Sequence, residues 1–215
     1  MKKVLVAGAG HGGLVAAYHL AQNGFLVTVV EQKNREALGY DWKDCVPRNV
    51  FTSAGLPTPA DVEFGGGGWM GYFNPKKNMP VVREEAQSLD LGYIDRQYLI
   101  DYLLTMAEGA GVQFRFGCPV AHALTKRDTV VGLALSNGEK LFADLVIDAA
   151  GVQSPVRRSL PLCTDVPRDI RQEDTFYVWR GYFEKVCEDW DEPAQRIFFY
   201  HCGVEGGEIF GNLGF

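Results

Sequence analysis

Within the first 31 residues, a set of short runs follows in an order that few folds accommodate. An apolar run, Val4-Leu5-Val6-Ala7, leads into Gly8-Ala9-Gly10-His11-Gly12-Gly13, and an alanine-rich stretch then runs from Leu14 to Gln22. Gly24 interrupts it, a second apolar run extends from Phe25 to Val30, and Glu31 follows. Read by periodicity, this is strand, turn, helix, strand: one βαβ unit. A bare Gly-x-Gly-x-x-Gly is a weak signal. Glycines set between a strand and a helix, with an acid closing the next strand, are the fingerprint of a dinucleotide-binding unit.

Each position has a physical reason. Gly8 permits the tight turn off the first strand, Gly10 lets backbone approach a pyrophosphate, and Gly13 lets the helix pack closely on the strands. The N–H groups and positive dipole end of that helix face the phosphates. Glu31 can accept hydrogen bonds from both hydroxyls of an adenosine ribose and would repel the 2′-phosphate of NADP. The competing reading, a glycine-rich turn that holds no ligand, has to treat the coincidence of Gly8, Gly10, Gly13 and Glu31 as chance.

Composition narrows the class. A chain of 215 residues can form one large domain or two small ones, and 47% apolar with 22% charged residues is ordinary for a globular protein. A net charge of −6 argues against nucleic acid and anionic membrane surfaces as partners. No apolar run approaches the roughly 18 residues of a transmembrane span. Lys2 and Lys3 precede an apolar run too short for a secretory signal. Five cysteines, odd in number and without a Cys-x-x-Cys pair, predict a reducing cytoplasm, no metal site, and mostly buried thiols.

Further along, a short helix is expected from about Pro47 to Ala54, stopped by Gly55-Leu-Pro-Thr-Pro59. A β-hairpin is expected across 62–83. Gly65 to Gly68 read better as a flexible or close-packed loop than as a phosphate cradle, since no helix follows. Asp95 is predicted to cap a helix from Arg96 to Glu108, with Gly109 and Gly111 ending it. A short strand over 112–116 leads to a β-meander over 119–143, with Asn137-Gly138 as a two-residue turn. Leu145-Val-Ile147 is an apolar strand, and Ser154-Pro155 opens a short helix. Beyond 167, strands return over 176–186, 196–202 and 208–215, rich in aromatics.

This order resembles the two-domain FAD flavoproteins of the geranylgeranyl reductase and aromatic hydroxylase superfamily. Three stretches carry the resemblance: Val4 to Glu31; Tyr93-Ile-Asp-Arg-Gln-Tyr-Leu99; and Ala143-Asp-Leu-Val-Ile-Asp-Ala-Ala-Gly-Val-Gln-Ser-Pro-Val-Arg157, similar to the family's second flavin motif. The resemblance implies an α/β fold: a Rossmann-type FAD-binding domain with a parallel sheet and β-meander, plus part of a β-rich substrate domain. The boundaries it implies are 1–60 with 89–165, and 61–88 with 166–215. It implies FAD as cofactor. Gly8, Gly10, Gly12, Gly13, Glu31 and Gln32 would hold the ADP half, Arg96 would lie near the pyrophosphate, Val120 would present backbone to adenine, and Ala149 and Gly151 would line the cofactor. Arg96 also reads as an ordinary surface arginine in a helix's first turn, where its charge opposes the helix dipole.

Two departures from the family pattern stand out. The Asp of the second motif is replaced by Ala150, with Asp148 two residues earlier. The family's third motif, Gly-Asp, and its C-terminal helical region do not follow, so a shortened chain with an apolar strand edge open to self-association is expected.

The resemblance implies an FAD-dependent oxidoreductase, geranylgeranyl reductase-like, acting on a hydrophobic small molecule through the flavin. The alternatives are a flavin monooxygenase using NAD(P)H and O₂, or a non-catalytic nucleotide-binding fragment. No catalytic side chain stands out. His11, His19, His122 and His201 lack metal or triad spacing, and Cys45 is a speculative active-site thiol set against a buried one. The aromatics of 176–200 suit an apolar pocket for a hydrophobic or aromatic substrate, though a plain sheet core explains them as well. Electron donor and oligomeric state are open.

Overall fold

The structure, a computed structural model, describes residues 1–64, 70–73, 80–82, 91–175, 197–204 and 207–214, of which 70–73, 80–82 and 197–214 are described through the backbone alone. The Gly65–Gly68 loop, the turn at 74–75, the strand expected over 176–186 and all the aromatic side chains of 176–200 lie outside the described residues. The chain forms two compact units, residues 1–42 with 95–178 and residues 43–94 with 179–215.

The first unit is built on a four-stranded parallel sheet. Its strands are β1 (Lys3–Ala7), β2 (Leu26–Val30), β7 (Gln113–Arg115) and β11 (Leu145–Asp148), in the order β11-β1-β2-β7. Parallel strands are covered on both faces and therefore read as continuous apolar runs. The pleat divides the work. Val4 and Val6 lie beside Val27 and Val29 on one face, where α1 (His11–Gln22) covers them and itself packs on α3 (Arg96–Gly109). Leu5, Ala7 and Val30 point the other way, into a cluster with Ala123, Leu133, Leu135 and Val156. Those residues come from the three-stranded antiparallel meander β8 (Val120–Lys126), β9 (Thr129–Leu135) and β10 (Lys140–Phe142), and from α4 (Pro155–Arg158).

The helix ends follow their local chemistry. The Asp95 carboxylate caps α3 by accepting the Tyr98 N–H at 3.0 Å. Leu99, Ile100, Leu103, Leu104 and Ala107 form the buried stripe. Gly109 is still helical, and the left-handed residue after α3 is Gly111, at φ +87°. Ser154 caps α4 by accepting the Arg157 N–H at 3.1 Å, with Pro155 at the first helical position.

In the second unit, β4 (Met70–Phe73) and β5 (Pro80–Val82) form the expected antiparallel pair. They continue through β12 (Ile197–Val204) to β13 (Gly207–Gly214) in one sheet. The helix expected from Pro47 is shorter than its sequence suggests. Residues Lys43–Pro47 are strand β3, paired with β6 (Leu91–Asp95), and α2 keeps only Val50–Ser53. Pairing with a distant strand overrides local helix preference here. Among the described residues, no helix is long and apolar enough to cross a membrane, and no cluster of ligating side chains could hold a metal.

One ion pair ties the loop after β2 to the last turn of α3. Arg35 engages the Glu108 carboxylate with both terminal nitrogens, one at 3.0 Å, and this hydrogen bonding holds the Glu108 carboxyl below the usual carboxylate range. A lowered folded-state pKa stabilises the fold above the ordinary glutamate range, and that stability is lost as pH falls through the folded value. With the two side chains 45% and 40% exposed, the pair contributes no more than about 1 kcal/mol, and less in salt. Glu108→Gln should therefore lower the midpoint of urea denaturation slightly at pH 7, and the gap to wild type should be smaller at a pH below the ordinary glutamate range. A gap of equal size at both pH values would show that the pair is not its source.

A second expectation concerns α1. A Cβ on Gly13 would run into the Gly8 carbonyl oxygen, whereas one on the exposed Gly12 meets nothing within 4 Å. Gly13→Ala should cost about 1–3 kcal/mol, and Gly12→Ala should gain up to ~1 kcal/mol from helix propensity. Chemical denaturation of both variants checks the opposite signs.

Candidate functional site

The carboxyl ends of β1, β2 and β11 open onto a cleft of about 370 Å³ in the first unit, the place where open α/β sheets bind ligands. Its floor is a close meeting of backbones. Gly8 has φ +102°, its N–H donates to the Val30 carbonyl at 2.8 Å, and a Cβ there would overlap the Ala149 carbonyl. Only glycine satisfies both the left-handed conformation and the contact. Gly10 is different. It is the N-terminal cap residue of α1, no side chain caps that end, and a Cβ built on it meets nothing within 4 Å. The opening at Gly10 is a cradle that fits a phosphate-bearing group, with the first N–H groups of α1 at its base.

Glu31 lines the cleft and is 8% exposed. Its Oε2 accepts the Ala9 N–H at 2.7 Å, and its Oε1 accepts the Lys33 N–H at 2.9 Å. The carboxylate thus staples the glycine loop to the chain leaving β2. The backbone around it is held as well: the Glu31 N–H donates to the Arg115 carbonyl, and its carbonyl accepts from the Cys118 N–H. A carboxylate has about four acceptor positions. Two are taken by the Ala9 and Lys33 N–H groups, which leaves capacity for the vicinal hydroxyls of a ribose.

The second-motif strand shows what the change at Ala150 does. Asp148 does not line the cleft; it turns back on its own loop. Its Oδ2 accepts the Ser154 hydroxyl at 2.6 Å, and its Oδ1 accepts the Ala150 N–H at 3.1 Å. Ser154, almost fully buried, in turn caps α4. Asp148 therefore shapes the loop 149–154, and Ala150 offers the cleft only a methyl and backbone.

Of the residues singled out from the sequence, Gly8, Gly10, Glu31, Gln32, Arg96, Val120, Ala149 and Gly151 line this one cleft. Gly12 and Gly13 do not: Gly13 faces the Gly8 carbonyl, and Gly12 faces solvent. Cys45 and Cys163 are exposed and Cys118 is partly buried, which corrects the buried-thiol expectation for the first two; Cys45 sits on β3, in the other unit. Sequence reasoning missed the wall formed by Leu38, Gly39 and Tyr40, and also Lys33 and Gln153. Gly39 was its one local sign, with φ +73° and the Gln97 Oε1 only 2.5 Å from where a Cβ would lie.

Comparison with known proteins places this geometry in context. Residues 6–56 match the profile of the NAD(P)-binding Rossmann-like domain, and residues 72–160 match that of the tryptophan halogenases. The chain is 28% identical over 171 residues to digeranylgeranylglycerophospholipid reductase of Haloferax volcanii, covering 79% of this chain and 39% of the relative. It is also 28% identical over 226 residues to YetM of Bacillus subtilis, an FAD-dependent monooxygenase by its name, covering 94% and 54%. The crystal structure of a geranylgeranyl bacteriochlorophyll reductase-like protein from Thermoplasma acidophilum superposes with a TM-score of 0.69 at 18% identity, over 97% of this chain and 52% of that one, a likeness of fold. The chain spans about half the length of the curated relatives it matches.

The doubly bonded carboxylate makes Glu31 testable in two ways. Glu31→Gln places an amide N–H₂ against a backbone N–H and should cost about 1–3 kcal/mol of stability. Glu31→Ala should weaken binding of adenosine nucleotides by an amount on the order of 1–3 kcal/mol. Titration calorimetry alongside denaturation separates the effects, and unchanged nucleotide affinity would remove the ribose assignment.

Proposed function

We infer that the chain is a member of the FAD-dependent reductases and monooxygenases, that the cleft holds FAD by its ADP half, and that the protein is a geranylgeranyl reductase-like oxidoreductase acting on a hydrophobic small molecule. The observation that carries the reading is the open cradle at Gly10 beside the buried, pre-oriented Glu31 carboxylate. In this reading, the first turn of α1 meets the pyrophosphate and Glu31 takes the ribose hydroxyls. Val120 offers backbone to the adenine, and Ala149 and Gly151 line the path toward the flavin. When bound, the isoalloxazine supplies the redox chemistry, and the protein supplies position, field and exclusion of water. Ala150 then offers the flavin side of the cleft only a methyl group and backbone. The unpaired cysteines fit a reducing, cytoplasmic setting.

A second reading, a monooxygenase using NAD(P)H and O₂, draws support from the monooxygenase relative that covers 94% of the chain. Oxygen uptake that depends on NAD(P)H and an aromatic compound would favour it over the reductase.

The direct test is the visible spectrum of the purified chain before and after FAD is added. Flavin bands that survive desalting are the expected result. A colourless protein that takes up ADP-ribose or NAD but not FAD would overturn the cofactor assignment and favour a nucleotide-binding fragment without catalysis.

A further inference from the structure

The cleft wall missed in the sequence has an arrangement that its lining role alone does not explain. Tyr40 is 56% exposed, yet its ring lies 4.4 Å from the Arg96 guanidinium carbon, and the Arg96 Nη1 donates to the Tyr40 hydroxyl. The chain around Tyr40 is pressed onto the start of α3 at further points. Leu38 is buried, Gly39 passes within contact of the Gln97 side chain, and the Arg96 N–H donates to the Trp42 carbonyl at 2.9 Å. The Tyr40 and Trp42 rings lie 6.4 Å apart, centroid to centroid. Both Tyr40 and Arg96 line the cleft that holds the glycine loop.

A long arginine side chain in the first turn of a helix is repelled by the helix dipole and has many rotamers. A ring face attracts a guanidinium, and the Tyr40 hydroxyl fixes one of its N–H groups. We propose that Tyr40 is a positioning residue that clamps Arg96 in the cleft, so that the guanidinium edge meets the diphosphate of the bound adenine dinucleotide. The proposal rests on the nucleotide reading of the cleft and adds to it the residue that orders the arginine before ligand arrives. Pre-ordering raises affinity because less side-chain freedom is lost on binding. The contribution is confined to ligands carrying the phosphates that Arg96 would meet.

The experiment titrates the full chain and its Tyr40→Phe, Tyr40→Ala, Arg96→Ala and double Tyr40→Ala/Arg96→Ala variants by calorimetry, with ADP and with adenosine. Tyr40→Ala should weaken ADP roughly three- to thirtyfold and leave adenosine unchanged. Tyr40→Phe, which keeps the ring beside the guanidinium and removes the hydroxyl, should fall between wild type and Tyr40→Ala. The double variant should bind ADP no more weakly than Arg96→Ala alone, because Tyr40 acts through Arg96. Three results would overturn the proposal: wild-type ADP affinity in Tyr40→Ala, equal losses for ADP and adenosine, or additive losses in the double variant. Wild-type chain that takes up neither ADP nor FAD would instead bring down the nucleotide site and, with it, this clamp. If ADP binds normally while the Tyr40 variants are silent, the clamp fails and the site stands.

Discussion

Three stretches of backbone converge at Gly8, and the geometry of the cleft follows from how closely they approach. The turn off β1 bends through a left-handed glycine against the Ala149 carbonyl at the end of β11, and α1 presses Gly13 onto the Gly8 carbonyl from the other side. No side chain fits at either point. The closeness brings the first turn of α1 over the carboxyl ends of the strands, and it sets loop 149–154 along one side of the same opening. A methyl group at Gly13 would push the helix away from the sheet, and the N–H groups that make this end attractive to an anion would move with it.

Around that floor, polar side chains mostly act by bonding to backbone. Glu31 holds the glycine loop through the Ala9 N–H, Asp148 holds the next loop through Ala150 and Ser154, and Asp95 and Ser154 cap α3 and α4. Each removes an unsatisfied backbone donor at a bend where regular secondary structure cannot. The cleft is therefore shaped before any ligand enters. Glu31 in particular is a structural staple and, in the proposed reading, also the ribose acceptor, so damage to it should register in stability as well as in binding.

The proposed reading rests on the ADP half of the cleft and leaves the reacting half more open. The residues that would hold a diphosphate and ribose sit in one unit and one cleft. The aromatic residues that would shape a substrate pocket belong to stretches whose side chains are not described. In the proposed reading, Ala150 lies on the side of the cleft toward the flavin. Asp148 does not supply a carboxylate there, because it turns onto its own loop and does not line the cleft. Any compensation at the flavin has to come from elsewhere in the protein.

The sequence by itself determined the features written in short stretches of chain: the βαβ unit with its glycines, the caps at Asp95 and Ser154, and the meander, although its turn at Gly138 spans the three residues 136–138 between Leu135 and Glu139 in place of the expected two, since Gly138 alone there is left-handed. These depend on periodicity and on hydrogen bonds between residues a few positions apart, so local pattern suffices to read them. Only the tertiary structure decided the rest. Strand β3 replaced the start of an expected helix because β6, more than forty residues away, pairs with it. Gly13 proved to be a packing residue and Gly12 a solvent-facing one, though they are neighbours in one motif. Tyr40 reaches Arg96 across 56 positions of chain, a contact that exists only because buried Leu38 and α3 bring the two together. Side-chain direction across such separations is set by packing, which no local spacing records.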